Sequence, residues 1–108
     1  MLTKKVVAKK QAKKAKPALA PTTYIDHDAK NYYIQVEMPG VKKEDVELSI
    51  SDQSYCVRGA REDIEFLGYY VLAHSVDTEK VRAKFENGLL NIEIPIKKIL
   101  KGKKGAVD

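Results

Sequence analysis

The chain predicts an all-β fold, an antiparallel β-sandwich, and three observations lead there. Apolar and polar residues alternate one by one through short segments such as Tyr32–Met38 and Val46–Ile50, the period of a strand with one face to a core and one to water. Turn-forming residues separate those segments at close spacing, in Pro39-Gly40, Asp52-Gln53, Arg58-Gly59 and Asn87-Gly88. No long segment carries a helical period, so the strands must pack on one another.

The opening, MLTKKVVAKKQAKKAKPALA, holds seven lysines and no acid. Its longest uncharged apolar run near the start, Val6-Val7-Ala8, is far too short for a signal-peptide core or a membrane span. Like charges four residues apart, Lys5 with Lys9, Lys9 with Lys13 and Lys10 with Lys14, oppose a helix. Residues 1–20 are therefore expected to be a disordered Lys/Ala-rich arm.

The sandwich is expected over 21–96. Thr23, Ile25 and His27 alternate with Tyr24, Asp26 and Asp28 in a weak edge strand, and Asp28 to Asn31 turn the chain. Tyr32, Ile34, Val36 and Met38 share one face of the next strand, which Pro39-Gly40 stops. After a polar connection, Val41 to Asp45, a strand follows with Val46, Leu48 and Ile50 on one face. Tyr55 and Val57 point inward from a short strand ending at Arg58-Gly59. Residues 60–66 are ambiguous, Leu67 to Ala73 reads as a strand, and Ser75 to Lys80 reads as a polar loop with room for one helical turn. The last hairpin is the clearest. Val81, Ala83 and Phe85 alternate with charged residues, and Asn87-Gly88 tolerates the positive φ of a tight two-residue turn. Leu90, Ile92 and Ile94 then line one face of a strand that Pro95 closes. The tail, 97–108, is lysine-rich with two glycines. It is expected to be flexible, with Ile99-Leu100 as its one apolar anchor.

With 108 residues there is length for one domain and a small core, and none to spare for a deep substrate cavity. Cys56 is the single cysteine, which rules out an intramolecular disulfide and makes the cytoplasm the default compartment. The net charge of +5 hides a segregation: residues 17–96 hold eight basic and fourteen acidic residues, so the excess of lysine sits at the two ends. An acidic body with basic arms can contact nucleic acid weakly and without specificity through the arms, and not through the body.

Catalytic chemistry finds no constellation. His27 and His74 are distant from each other in the chain, and neither has a cysteine or carboxylate at metal-ligand spacing. Cys56, on the opposite face from Tyr55 and Val57, has no local base. The six glycines form no phosphate-binding loop, and Glu62, Asp63 and Glu65 lack the ligand spacing of a calcium loop. No catalytic, cofactor-binding or metal residues are expected, and the chain reads as a non-enzyme.

Four motifs in order, YYIQVEMPG (32–40), VKKEDVELSI (41–50), YCVRGAR (55–61) and AKFENGLLNIEIP (83–95), resemble the alpha-crystallin domain of small heat-shock proteins. The resemblance covers about 75 residues. It implies an immunoglobulin-like sandwich acting as an ATP-independent holdase for partly unfolded proteins. It also implies a client or partner groove between the strand of Val46, Leu48 and Ile50 and the strand of Val81, Ala83 and Phe85. That groove commonly receives an I-x-I segment from a tail; here the candidates are Ile94 with Ile96, which coincide with the end of the last strand, and Ile99 with Leu100. Two further departures bear on assembly. Ala60 to Phe66 leaves little room for a strand-exchange loop, and the arm is lysine and alanine where the family has Phe-rich segments. A dimer or small oligomer is thus expected in preference to a large cage. Two other readings remain open: a CS-type co-chaperone adaptor for one folded partner, and a nucleic-acid or ribosome-associated protein acting through its arms.

Overall fold

The computed structural model describes residues 16–98 and 105–107. Eight strands build two four-stranded sheets: β1 (Ala18–Leu19), β2 (Thr22–His27), β3 (Asn31–Glu37), β4 (Val46–Ser51), β5 (Ser54–Ala60), β6 (Glu65–Val71), β7 (Arg82–Glu86) and β8 (Leu89–Pro95). One sheet has the order β1-β6-β5-β4 and the other β2-β3-β8-β7. All neighbours run antiparallel except β1 and β6. Lys43–Asp45 and Thr78–Lys80 add single 3-10 turns, the second capped by Asp77, whose carboxylate accepts from the Glu79 N–H at 3.1 Å.

Strict alternation drives the packing. Along β3, Tyr32, Ile34 and Val36 are buried while Tyr33, Gln35 and Glu37 are exposed. β8 repeats the pattern with Leu90, Ile92 and Ile94. Register sets these rows side by side, with Ile34 between Ile25 and Ile92 and Val36 opposite Leu90. Tyr55 and Val57 of β5, Phe66 of β6 and the loop residues Leu72 and Val76 close the core from the other sheet. Full burial of such side chains contributes roughly 1.5–3 kcal/mol each, the main force holding the sheets face to face.

Two contacts show how the sheets stack. The Thr23 and Tyr70 hydroxyls lie 3.1 Å apart, tying β2 to β6. Gly59 of β5 leaves room for Met38: a Cβ there would meet the Met38 Sδ at 2.7 Å. With β2 over β6 on one side, the edge strands β4 and β7 fall together on the other.

The predicted hairpin forms as expected. Asn87 and Gly88 both have positive φ, 49° and 79°, in the tight turn joining β7 and β8. The Gly88 carbonyl accepts from the Met38 N–H at 2.7 Å, and a Cβ on Gly88 would stand 3.1 Å from the Pro39 Cα. The hairpin turn therefore packs directly on the Pro39-Gly40 turn.

Three expectations need correction. Part of the arm expected over 1–20 is ordered: Ala18–Leu19 pairs with Glu65 and Phe66, the Glu65 N–H donates to the Pro17 carbonyl at 2.9 Å, and Lys16 Nζ donates to the Arg61 carbonyl at 2.7 Å. Apart from the Lys16 ammonium, main-chain bonds hold this piece, so side-chain patterning does not reveal it. Residues 1–15 and 99–104 lie outside the described residues. Second, the ambiguous 60–66 segment divides. β5 continues to Ala60, Arg61 to Ile64 form a turn closed by the Arg61 N–H on the Ile64 carbonyl (3.0 Å), and β6 starts at Glu65 and ends at Val71, two residues before the expected Ala73. The third concerns the histidines, taken up below.

Candidate functional site

The edge made by β4 and β7 gathers the residues expected to line a groove. In β4, Val46, Leu48 and Ile50 are half-buried and alternate with exposed Glu47, Ser49 and Ser51. Phe85 of β7 is half-buried, as is Val81 just before that strand. All five pack against the core without being closed over by it. Ala83 differs: in phase with Val81 and Phe85, it is nonetheless exposed on the edge strand β7. Both strands terminate their sheets, so among the described residues each has one side free of main-chain pairing. An apolar seam flanked by unpaired peptide groups can accept an extended apolar segment, the main chain supplying attraction and the seam selecting side chains.

The opposite edge carries its apolar residues on the outside. Leu67, Tyr69 and Val71 of β6 are 44, 67 and 73% exposed, while β1 pairs only with Glu65 and Phe66. Beyond Phe66, β6 is thus, among the described residues, an open edge with an apolar outer row. Sequence reasoning missed it. The signal was present, since Phe66 to Val71 is apolar on both faces, and a strand of that kind has something to cover on each side.

The tail-anchor candidates separate. Ile94 and Ile96 are buried in the chain's own core, with Ile96 bridging to Val76 and its N–H donating to the Lys30 carbonyl at 2.7 Å. They are not available to another chain. Ile99 and Leu100 lie outside the described residues. Lys97, where the tail leaves, bonds Asp52 through Nζ at 3.0 Å. Lys97 and then Ser75 hold the Asp52 carboxyl below the ordinary range by hydrogen bonding to its charged form.

The two histidines are not isolated, contrary to their spacing. The β2–β3 turn and the loop after β6 bring the rings of His27 and His74 within 5.1 Å, with Tyr32 at 5.1 Å from the first and 6.2 Å from the second. The Tyr32 hydroxyl accepts from the His74 N–H at 3.0 Å, and His27 Nδ1 lies 2.9 Å from the Asp28 carbonyl. Cys56 is not with them. It is half-buried on β5, between Ser49 and Tyr69 in register. Among the described residues no three His, Cys, Asp or Glu side chains are grouped to hold a metal ion. Two of the three clustered acids are engaged in ion pairs, Asp63 with Arg61 at 2.9 Å and Glu65 with Arg58, and Glu62 is exposed. Tyr55 packs its ring on Tyr70 with centroids 5.0 Å apart, and among the described residues its hydroxyl has no hydrogen-bond partner. Burial pushes that phenol far up, so it stays protonated and serves the core. No helix among the described residues is long and apolar enough to cross a membrane.

Residues 24–107 match the family described as Hsp20/alpha crystallin. Small heat shock protein C4 of Rickettsia felis is 30% identical over 102 residues, covering 80% of this chain and 63% of that protein. The probable 15 kDa heat shock protein of Leptospira interrogans is 28% identical over 96 residues, covering 76 and 74%. The chain thus spans less than two thirds of the Rickettsia protein. Heat shock protein 16.0 from Schizosaccharomyces pombe superposes with a TM-score of 0.70 at 23% identity, over 83% of this chain and 98% of that one. A small heat-shock protein from Xylella fastidiosa gives 0.64 at 18%, over 83 and 97%. Those two likenesses establish a common fold. With the family match running from β2 past β8 on a sandwich of the same architecture, the chain belongs to the Hsp20/alpha-crystallin family.

Proposed function

We propose that the protein is an ATP-independent holdase: it binds partly unfolded proteins and limits their aggregation, with no bond-making chemistry of its own. The observation that carries this reading is the β4/β7 edge, where Val46, Leu48, Ile50, Val81 and Phe85 stay half-buried beside unpaired main chain. An unfolding client exposes apolar side chains and strand edges, and this seam can cover both. Completing the burial of each half-covered side chain contributes roughly 1 kcal/mol, enough collectively for reversible capture. The working compartment is the cytoplasm.

Self-association as a dimer or small oligomer belongs to the same reading. Only Arg61 to Ile64 separate β5 from β6, too few residues to donate a strand to a partner, so association falls to the open edge of β6 with Leu67, Tyr69 and Val71. Ile99 and Leu100 are the remaining tail residues able to enter a groove. The test is suppression of thermal aggregation of several unrelated clients at stoichiometric ratio without ATP. No suppression for any of them removes the proposal.

The short β5–β6 connection also favours a second reading, an adaptor of the CS type that holds one folded partner. A pull-down that returns a single stoichiometric protein and no denatured ones selects it. Weak contact of the lysine-rich arms with nucleic acid is compatible with either reading, and would show as affinity falling steeply with salt.

A further inference from the structure

The two histidines meet at one end of the sandwich, and the main chain that carries each of them is fixed. His27 ends β2 and stands in register with Tyr32 of β3 across the turn 28–30. His74 lies in the loop that follows β6, a strand of the other sheet. That loop is pinned on both sides of the histidine. The Leu72 N–H donates to the Gln53 carbonyl at 2.7 Å, the Val76 N–H to the Asp52 carbonyl at 2.8 Å, and the Ser75 hydroxyl to the Asp52 carboxylate at 2.9 Å. The Tyr32 hydroxyl, accepting from the His74 N–H, joins the loop to the hairpin. Two imidazoles from different sheets are therefore presented together on anchored backbone, which lowers the cost of bringing both onto one ligand.

The chemistry of the pair is that of a metal chelate. His27 Nδ1 is 2.9 Å from the Asp28 carbonyl. A carbonyl only accepts, so Nδ1 carries the proton and Nε2 keeps its lone pair, the tautomer that prepares a histidine as a ligand. Neither imidazole is in an ion pair among the described residues. His27 is exposed and His74 half-buried, so an ion can enter from solvent. The ring centres are 5.1 Å apart, with the planes at 75°. An ion bonded at about 2.0–2.1 Å by one nitrogen of each ring holds the centres roughly 4.5–5 Å apart, so the spacing is already close to that of a chelate. The surrounding charge suits a cation. The hairpin brings Asp26 and Asp28 against Lys30 alone, and on the loop side Asp52 is matched by Lys97 at 3.0 Å.

We infer that His27 and His74 together bind one divalent transition-metal ion of the imidazole-preferring kind, zinc or nickel in class, through Nε2 of His27 and one nitrogen of His74. Among the described residues no third histidine, cysteine or carboxylate completes the group, so water fills the other positions and the ion exchanges. Bound there, it ties the β2–β3 hairpin of one sheet to the loop after β6 of the other. A metal takes imidazole only in its neutral form, so acid displaces it. The site uses no residue of the β4/β7 seam or of the outer row of β6, and it stands or falls apart from the holdase reading.

The experiment titrates the full-length chain with nickel chloride near neutral pH and follows the amide NMR signals, which the paramagnetic ion broadens around itself. Broadening should centre on residues 26–28 and 73–75 at once. His27→Gln and His74→Gln should each weaken binding about tenfold or more, because a single histidine loses the chelate. Broadening around one histidine only, around Cys56 or at the start of the chain, or a variant that binds within about twofold of the parent, would overturn the inference. Zinc chloride supplies a second reading. Well above its Kd it should raise the melting temperature of the parent and leave both variants unmoved, whereas equal shifts in all three would place zinc elsewhere and overturn the inference as well.

Discussion

The two long edges of the sandwich are made by strands of similar length, yet they leave different surfaces. At the β4/β7 edge the apolar side chains turn inward, where Val46, Leu48, Ile50 and Phe85 remain half-covered, and the outward positions are Glu47, Ser49, Lys84 and Glu86. At the β6 edge the inward Phe66 and Tyr70 already fill the interior, and it is the outward Leu67, Tyr69 and Val71 that are apolar. The first arrangement is a seam that another strand can enter. The second is a rim against which another sheet can continue. The difference teaches that the direction of alternation at an edge, and not apolar content alone, decides whether apolar side chains are left along a seam beside the core or on the outer surface; on the proposed function, the first suits capture of foreign chains and the second association with a second copy.

The comparison breaks most completely if the shared core fails. Ile94, with no exposed surface, lies in the core that supports both edges, and Ile94→Ala should cost about 2–5 kcal/mol in denaturant unfolding. Both aggregation suppression and self-association should fall together. Loss of one with the other intact would mean that the edges do not depend on a common interior.

Replacing Leu48 and Ile50 by Ser tests the seam. The expected result is a roughly tenfold weaker client interaction in an aggregation assay, with the light-scattering mass unchanged. The converse variant, Tyr69→Asp with Val71→Asp, places like charges along the rim. It should lower the mass in light scattering, leave client protection within about twofold, and shift unfolding by no more than ~0.5 kcal/mol because both side chains are exposed. If the seam variant disperses the assembly instead, the assignment of the two edges is reversed.

The smallest effect is an acid one. Asp28 sits in the turn at the β2 edge and Asp52 in the turn that ends β4. Hydrogen bonds from the Asn31 and Lys30 N–H groups to Asp28, and from Lys97 and Ser75 to Asp52, hold both carboxyls below the ordinary 3.8. A depressed carboxyl adds stability that is present above pH 3.8 and is lost as pH falls through the lower folded value. Melting temperature should therefore decline with acidification in that range, and less steeply in Asp28→Asn and in Asp52→Asn. A melting temperature that rises on acidification there would contradict the hydrogen-bond account.

Most of the fold was legible because alternation and turn residues agree. Tyr32 to Met38, Val46 to Ile50 and the Asn87-Gly88 hairpin each show both signals, and each forms as read. β1 was not legible: two residues held by main-chain bonds leave no side-chain pattern. The candidate seam was readable in part. Alternation tells which side of β4 faces inward, but its position at the end of a sheet depends on strand order, which local sequence does not encode. Ala83 shows the same limit, since its phase places it inward while it stays exposed on the edge strand. The meeting of His27 with His74 depends on two loops from different sheets converging, and no spacing rule anticipates that.

The contact between Gly88 and Pro39 has a practical consequence for anyone redesigning this protein. With a side chain at 88 blocked by the Pro39 Cα at 3.1 Å and by a positive φ, two turns far apart in the chain behave as one mechanical joint. A side chain introduced at 88 should therefore be tolerated only with a compensating shift of the Pro39-Gly40 turn, and the two turns are best varied together.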